Sequence, residues 1–295
     1  NDREYLPQSE KQWNTERYHK KVNDVMRTIV SAGKEGDWPM LVGLCEIEND
    51  YVLHGMTEYS HYKKLGYKYV HYESPDARGI DVALLYREDM FTPLLSRPVG
   101  VELPDDKPTR DLLYVCGVLN DGTILHVIQT HMPSRRGGAM ATEKNRMTVA
   151  KKIKMITDSI FALDTDAAVV IMGDMNDNPD DEAVHETLKV MPTGGNVYES
   201  GKLYNLCWDG FPTDDATSGS YFHAGEWESL DQIIVSGALL NGVLNIRISG
   251  KAEVFNPWWL RSADGTPKRT YLGDTYQGGI SDHFPVRAVL RQTKD

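Results

Sequence analysis

The 295-residue chain has no apolar run that approaches the roughly 18 residues of a membrane span, and the stretch after Asn1 lacks the apolar centre of an export signal. Cysteine is scarce. Cys45, Cys116 and Cys207 are odd in number, widely spaced and set mostly among apolar neighbours, which suits buried thiols rather than a disulfide framework or a metal cluster. Basic charge is also short: 32 Lys and Arg against 43 Asp and Glu leave a net charge of -11. That balance counts against a large basic surface for duplex nucleic acid, because phosphate binding needs Lys and Arg gathered together. A local basic groove is still compatible with it. No Gly-rich loop ending in Lys and Ser or Thr is present, and no His-x-x-x-His or paired-Cys spacing, so neither a P-loop nor a zinc site is expected. The chain opens on Asn1 rather than Met, which suits a processed product and leaves a secreted or periplasmic setting open.

With 40% hydrophobic residues the chain can bury a large core, and no linker or repeat divides it, so residues 1–295 read as one domain. Ser9 and Gln12 resemble a capping box, after which Tyr18, Val22, Val25, Ile29 and Val30 share a helical face that Gly33 closes. Strands are expected at 40–45, 80–87, 112–119, 123–130, 232–236 and 284–291, with Asp121-Gly122 turning a hairpin. The periodicity predicts a helix over 51–67, a short one over 182–190, and a long one over 139–163 whose apolar side runs from Met147 to Leu163. Hairpins mixed with long helices point to mixed α/β (α+β) layers, with two sheets and helices outside them.

Polar groups recur where apolar strands end. "MLVGLC" runs into Glu46, Glu48 and Asn49; "HVIQT" into His131 and Arg135; "VVIMG" into Asp174 and Asn176; and the last strand is entered through Ser281, Asp282 and His283. A single His beside a strand is usually a satisfied structural residue. Four such ends are harder to explain that way, since buried acids and imidazoles cost free energy unless paired or metal-bound. Sites in layered sheet proteins gather where strand ends meet. Hard carboxylate oxygens favour Mg²⁺ or a similar cation that also takes phosphate oxygens. Ser281, Asp282 and His283 lack the strand-turn-helix elbow that would expose a nucleophilic serine. The chemistry left is metal-assisted hydrolysis of a phosphate ester, with a His as general base.

The blocks "CEIEN", "THMPSR", "GDMND", "SLDQIIVS" and "SDHFPV", in this order between Met40 and Leu290, resemble the signature blocks of the endonuclease/exonuclease/phosphatase superfamily. The resemblance implies a four-layer, deoxyribonuclease-I-like sandwich of two facing mixed sheets flanked by helices. It gives Glu46 and Asp282 to the metal, Mg²⁺ with Mn²⁺ or Ca²⁺ as alternatives. Asp174 and Asn176 match the pair that orients water and holds phosphate. His283 matches the base or phosphate contact, Asp231 the acid that orients it, and His131 the second His of the deoxyribonuclease branch, with Asp81 as a candidate carboxylate partner. In the family an N-terminal strand ends in an Asn that helps hold metal or phosphate; this sequence opens instead on polar residues and a helix, so either that strand has been removed or the site is incomplete and weakened, and Asn1, with no apolar strand before it, is no substitute. Its loss is expected to expose the edges of both neighbouring strands.

For the substrate, Arg135 follows His131 closely and its planar guanidinium suits phosphate, whereas Arg136 reads equally well as a solvated loop residue. The insertion 255–279 sets Trp258, Trp259, Tyr271 and Tyr276 among Arg261, Lys268 and Arg269. Trp258 and Arg269 are candidate substrate contacts there, against a loop simply folded onto the body, and Gly278 and Gly279 would let the segment move. The expected partner is a phosphate-ester substrate, nucleic acid or a small phosphorylated molecule, with no obligate protein partner evident. Phosphodiester hydrolysis leads, an inositol- or lipid-phosphate phosphatase is the alternative, and a non-catalytic binding module with a degenerate site stays open.

Overall fold

Three separate apolar clusters build the protein, and each lies between two layers. The computed structural model describes residues 3–34, 36–195, 197–211 and 218–293. In chain order the main elements are α1 (Thr15–Ser31), β1 (Leu41–Ile47), α2 (Asp50–His54), β2 (Tyr67–His71), β3 (Asp81–Arg87), β4 (Phe91–Val99), β5 (Leu112–Leu119), β6 (Ile124–His131), α3 (Ala139–Leu163), β7 (Ala168–Asp174), β8 (Val190–Pro192), β9 (Leu203–Asn205), β10 (Tyr221–His223), β11 (Glu226–Glu228), β12 (Asp231–Ser236), α4 (Ala238–Asn241), β13 (Ile246–Val254), β14 (Tyr271–Leu272), β15 (Thr275–Tyr276) and β16 (Val286–Gln292).

Seven strands form one sheet in the order β4-β5-β6-β7-β12-β9-β8. It is mixed: β6 and β7 are parallel, joined by the α3 crossover, while β5–β6 and β7–β12 are antiparallel. Facing it are the three-stranded β1-β3-β2 and the pair β13-β16. Leu84, Val115, Val127 and Phe284 fill the space between these layers, Ile128, Ile153, Ala150 and Ile171 join the large sheet to α3, and Val22, Met26, Leu53 and Leu85 join the smaller sheet to α1. The result is a four-layer sandwich, as expected.

Several elements depart from the sequence reading for local reasons. Asn14 rather than Ser9 caps α1, accepting the Arg17 N–H at 3.0 Å, and Ser9 instead closes a turn by accepting the Leu6 N–H. The expected helix over 51–67 breaks into α2, a π-helical turn at Gly55–Tyr59 and a 3₁₀ turn that stops at Gly66, whose φ of 70° is left-handed; Tyr67 then starts β2. The long helix forms as expected, but its last apolar residue, Leu163, is 92% exposed and Arg146 is buried in its place. The short strands and two long ones, β4 and β13, escape the reading. β4 carries Pro93 and Pro98, which an edge position tolerates, and β13 is interrupted by a bulge between Ser249 and Glu253.

In the smaller layer β3 lies over β5 and β6, β1 over β6 and β7, and β16 over β12. Among the described residues β1 pairs only with β3, and β16 only with β13. Between their free edges runs a cavity of about 2240 Å³, lined by Leu41 to Cys45, Val286 to Gln292, and Val22, Val25 and Ile29 of α1. Leu41, Val42 and Leu44 are consequently only half-buried, although they are core residues by type. Among the described residues no strand pairs with the β1 and β16 edges that line this cavity, and the candidate site lies at its polar end.

Candidate active site

The register of the large sheet brings the scattered strand ends together. His131 at the end of β6 pairs with Asp174 at the end of β7, and Asp174 pairs with Asp231 at the start of β12. Gly173 permits this approach: its φ is 139°, and a Cβ there would lie 1.9 Å from the Thr130 carbonyl oxygen. From the smaller layer come Glu46 on β1 and the segment of Asp282 and His283 ahead of β16. All seven residues, Asn176 included, line one end of the cavity.

Glu46 sits at a bulge between Cys45 and Ile47 with φ of 59°, a left-handed conformation that non-glycine residues rarely hold. Bulges re-aim side chains, and this one leaves the Glu46 carboxylate exposed at the cavity mouth. Asn176 also has a positive φ, 50°, fixed by three contacts: its backbone N–H donates to Asp174 Oδ1 at 2.8 Å, and its Nδ2 donates to the Met132 carbonyl at 2.9 Å and to Asp174 Oδ2 at 3.2 Å. Behind this loop, Asp177 pairs with the buried Arg146 at 2.7 Å.

His283 Nδ1 lies 2.6 Å from Asp231 Oδ2, and the Tyr221 ring packs on the imidazole with centroids 4.6 Å apart. Burial opposes a charge on His283, but the Asp231 charge and hydrogen bond, with Asp174 and Asp282 nearby, outweigh it and raise the imidazole to about 10. Burial, then the neighbouring Asp231 charge, pushes Asp174 up to about 7. His131 behaves oppositely. Burial and the charges of Arg110, Arg78 and His283 drive it well below its ordinary value, so the ring is neutral at pH 7. Its Nε2 is 3.5 Å from Asp174 Oδ2, and its Nδ1 is buried without a hydrogen-bond partner.

Asp81 is not the carboxylate partner of His131. It pairs with His71 at 3.1 Å and accepts the Ser74 N–H at 2.9 Å, because the antiparallel pairing of β3 with β2 brings the start of β3 to the end of β2, where His71 stands. His71, Glu73 and Asp81 have potential ligand atoms within 4.8 Å of one another, but none of the three lines the cavity. Arg135 is occupied by Glu228 of β11, which fastens the β10–β11 hairpin beside the site. Trp258 is 78% exposed, stands edge-on to Trp259 and lies outside the cavity lining. Arg269 does line it, 3.6 Å from Asp282. The insertion folds onto the N-terminal region, with Arg27 over Trp259, Arg17 over Tyr276, and Gly279 packed against the Lys268 carbonyl rather than free to hinge. Asn1 lies outside the described residues.

Three cations went unread in the sequence because nothing local marks them. Lys21 of α1 donates to Thr270 Oγ1 at 2.7 Å and to the Ile280 carbonyl; burial lowers it to about 8 against the pull of Asp282 and Glu46. Arg78 reaches Glu46, and Arg110 is buried behind His131.

Carboxylate oxygens from two facing layers, a charged imidazole and a carboxyl raised towards neutrality thus meet at one end of the cavity in a four-layer sandwich. The sequence matches the model of the Endonuclease/Exonuclease/phosphatase family over residues 1–292, and the chain belongs to that family of phosphoesterase hydrolases. No curated protein is significantly similar in sequence. Solved structures share the fold at low identity. Truncated Caenorhabditis elegans TDP2 is 18% identical, with 95% of this chain and 92% of that one covered and a TM-score of 0.62. The human Nocturnin catalytic domain with bound sulfate is 14% identical (93% and 86% covered, TM-score 0.59), and a Bacteroides thetaiotaomicron mannosyl-6-phosphatase is 15% identical (93% and 91%, TM-score 0.56).

Proposed function

We propose that the protein is a divalent-metal-dependent phosphoesterase acting on a small phosphorylated molecule. The observation that carries this reading is the convergence of Glu46, Asp174, Asn176, Asp231, Asp282 and His283 at one end of a single cavity. Glu46 and Asp282 fit the donor set of a hard cation, Mg²⁺ first and Mn²⁺ or Ca²⁺ next, and would hold it. Once bound there, such a cation offsets charge developing on the phosphoryl oxygens.

The remaining work falls to the chain's own groups. Asn176, locked by its contacts to Asp174 and Met132, presents an amide to water or a phosphoryl oxygen. Asp174, poised near 7, takes the proton of the attacking water as the new P–O bond forms and the bond to the leaving group breaks. His283 holds its proton at neutral pH, so it serves as a donor to phosphoryl oxygens rather than as the first base, with Asp231 fixing its ring.

A small substrate is favoured over a nucleic-acid strand because few open basic contacts face the cavity: of the three expected substrate contacts, Arg135 lines it but is paired with Glu228, and Trp258 lies outside it. The net charge of -11 agrees with this. Hydrolysis of a sugar phosphate, an inositol phosphate, a generic phosphodiester and single-stranded DNA should be compared with Mg²⁺, Mn²⁺ and chelator. Metal-dependent release of phosphate from the small monoesters is expected. Faster cleavage of DNA would reverse the substrate preference, and silence on every ester from folded, metal-binding protein would leave a binding module.

A further inference from the structure

Each of the two acids assigned to the metal already has an arginine beside it. Arg78 Nη1 is 3.7 Å from Glu46 Oε1, and Arg269 Nη1 is 3.6 Å from Asp282 Oδ2. These are loose, half-exposed pairs, longer than good hydrogen bonds, and pairs of this kind add little stability.

The support beneath Arg78 is of another kind. Asp76 is buried, and its Oδ1 accepts the Arg78 backbone N–H at 2.9 Å while lying 3.6 Å from Arg78 Nε. Its Oδ2 accepts from Arg110 Nη1 at 2.9 Å. Arg110, also buried, donates Nε to the His131 carbonyl at 3.2 Å and Nη2 to the Met132 carbonyl at 2.7 Å. Burying a carboxylate and a guanidinium carries a desolvation cost that a simple turn does not require. What the pair achieves is to fasten the loop of Arg78 to the end of β6, so that one guanidinium is held at the cavity mouth. On the other side, Lys21 ties Thr270 and Ile280 to α1, which fixes the segment bearing Arg269 and Asp282.

We propose that Arg78 and Arg269 form a phosphate clamp interlocked with the metal. Each arginine neutralises its carboxylate until a divalent cation takes that carboxylate, and the guanidinium then turns to a non-bridging oxygen of the phosphate ester. This rests on the functional reading above. The physical basis is competition for one carboxylate. A divalent ion in direct contact outcompetes a half-exposed guanidinium at 3.6–3.7 Å. Displaced, the guanidinium keeps a planar fork of donors suited to phosphate. An acidic site also needs cations at its rim to admit an anion at all. By linkage, metal must then raise phosphate affinity and phosphate must raise metal affinity by the same factor.

The clamp has a signature that a structural role does not share. Arg78→Gln removes a competitor for Glu46 and a ligand for phosphate, so metal and anion affinities should move in opposite directions. Calorimetry of the purified chain with Mg²⁺ alone should show several-fold tighter binding in R78Q than in wild type. With saturating Mg²⁺, inorganic phosphate should bind R78Q about ten-fold more weakly. R269Q should behave alike, and the metal-induced gain in phosphate affinity should shrink furthest in the double variant. Arg78 is half-exposed, so an unchanged melting temperature verifies folding. Metal affinity that falls or stays constant in R78Q, or phosphate affinity that does not change, overturns the clamp while the functional reading stands. A folded wild type that neither binds Mg²⁺ nor hydrolyses any phosphate ester removes both.

Discussion

Asp231 and His283 are 52 residues apart in sequence and 2.6 Å apart in space, one opening β12 and the other preceding β16. Asp231 lies in the seven-stranded sheet and His283 in the segment leading into β16 of the facing layer, so their contact depends on correct assembly of both layers. The imidazole is raised to about 10, above its ordinary 6.5. A raised value means that the charged ring stabilises the fold fully below about pH 6.5, and that this contribution is lost as pH rises towards 10. Asp231→Asn should bring the His283 titration, followed by NMR, back towards 6.5 and reduce turnover about a hundred-fold. A wild-type ring already titrating near 6.5 would contradict the pairing.

Asp174 has the opposite consequence for stability. Its carboxyl is raised from 3.8 to about 7, so the folded state keeps a proton that the unfolded chain releases. Stability therefore falls as pH rises between these values, and above pH 7 the fold bears the cost of the buried charge. Asp174→Asn should raise the melting temperature at pH 8 by more than at pH 5, while reducing turnover about 10²–10⁴-fold. Equal melting shifts at both pH values would refute the raised carboxyl.

Asp81 should affect folding rather than chemistry. It is buried and hydrogen-bonded to His71, away from the cavity, and leaving a buried polar group without its partner costs roughly 1–3 kcal/mol. Asp81→Ala should lower the melting temperature by about 3–8 °C. Activity per folded molecule should stay within a few-fold of wild type. A selective loss of turnover without destabilisation would return Asp81 to the reacting groups.

These contrasts show which parts of the site were legible in the sequence. Glu46, Asp174, Asn176 and His283 stand at the ends of strongly apolar strands, where a polar residue has no packing role, so the pattern exposes them. Asp81 is not among those strand ends; the resemblance alone offered it as the partner of His131, and it does not mark which strand lies beside it, whereas β3 runs next to β2 and sets Asp81 against His71. Arg78, Arg110 and Lys21 come from a loop, a strand entry and a surface helix, where cations are commonplace, and only tertiary contacts single them out. Strand β13 was missed because its bulge breaks the alternation, and the helix after β1 was over-extended because the chain leaves it at Ser60, whose backbone is extended.

The cavity between β1 and β16 yields the last prediction. A strand bonded on one side directs about half of its amides to its partner and the rest towards the other edge. In β1 those edge amides face the cavity, while every amide of the central strand β3 has a neighbour, since β3 pairs with both β1 and β2. Residue-resolved hydrogen exchange should therefore alternate between fast and slow along Leu41–Cys45 and Val286–Leu290, and stay uniformly slow along Val82–Leu85. The same free edges are templates for strand pairing, so protection in β1 and β16 should rise with protein concentration if copies associate there. Uniformly slow exchange along β1 in dilute solution would mean that its second edge is already bonded, and the cavity would then be closed in the folded protein.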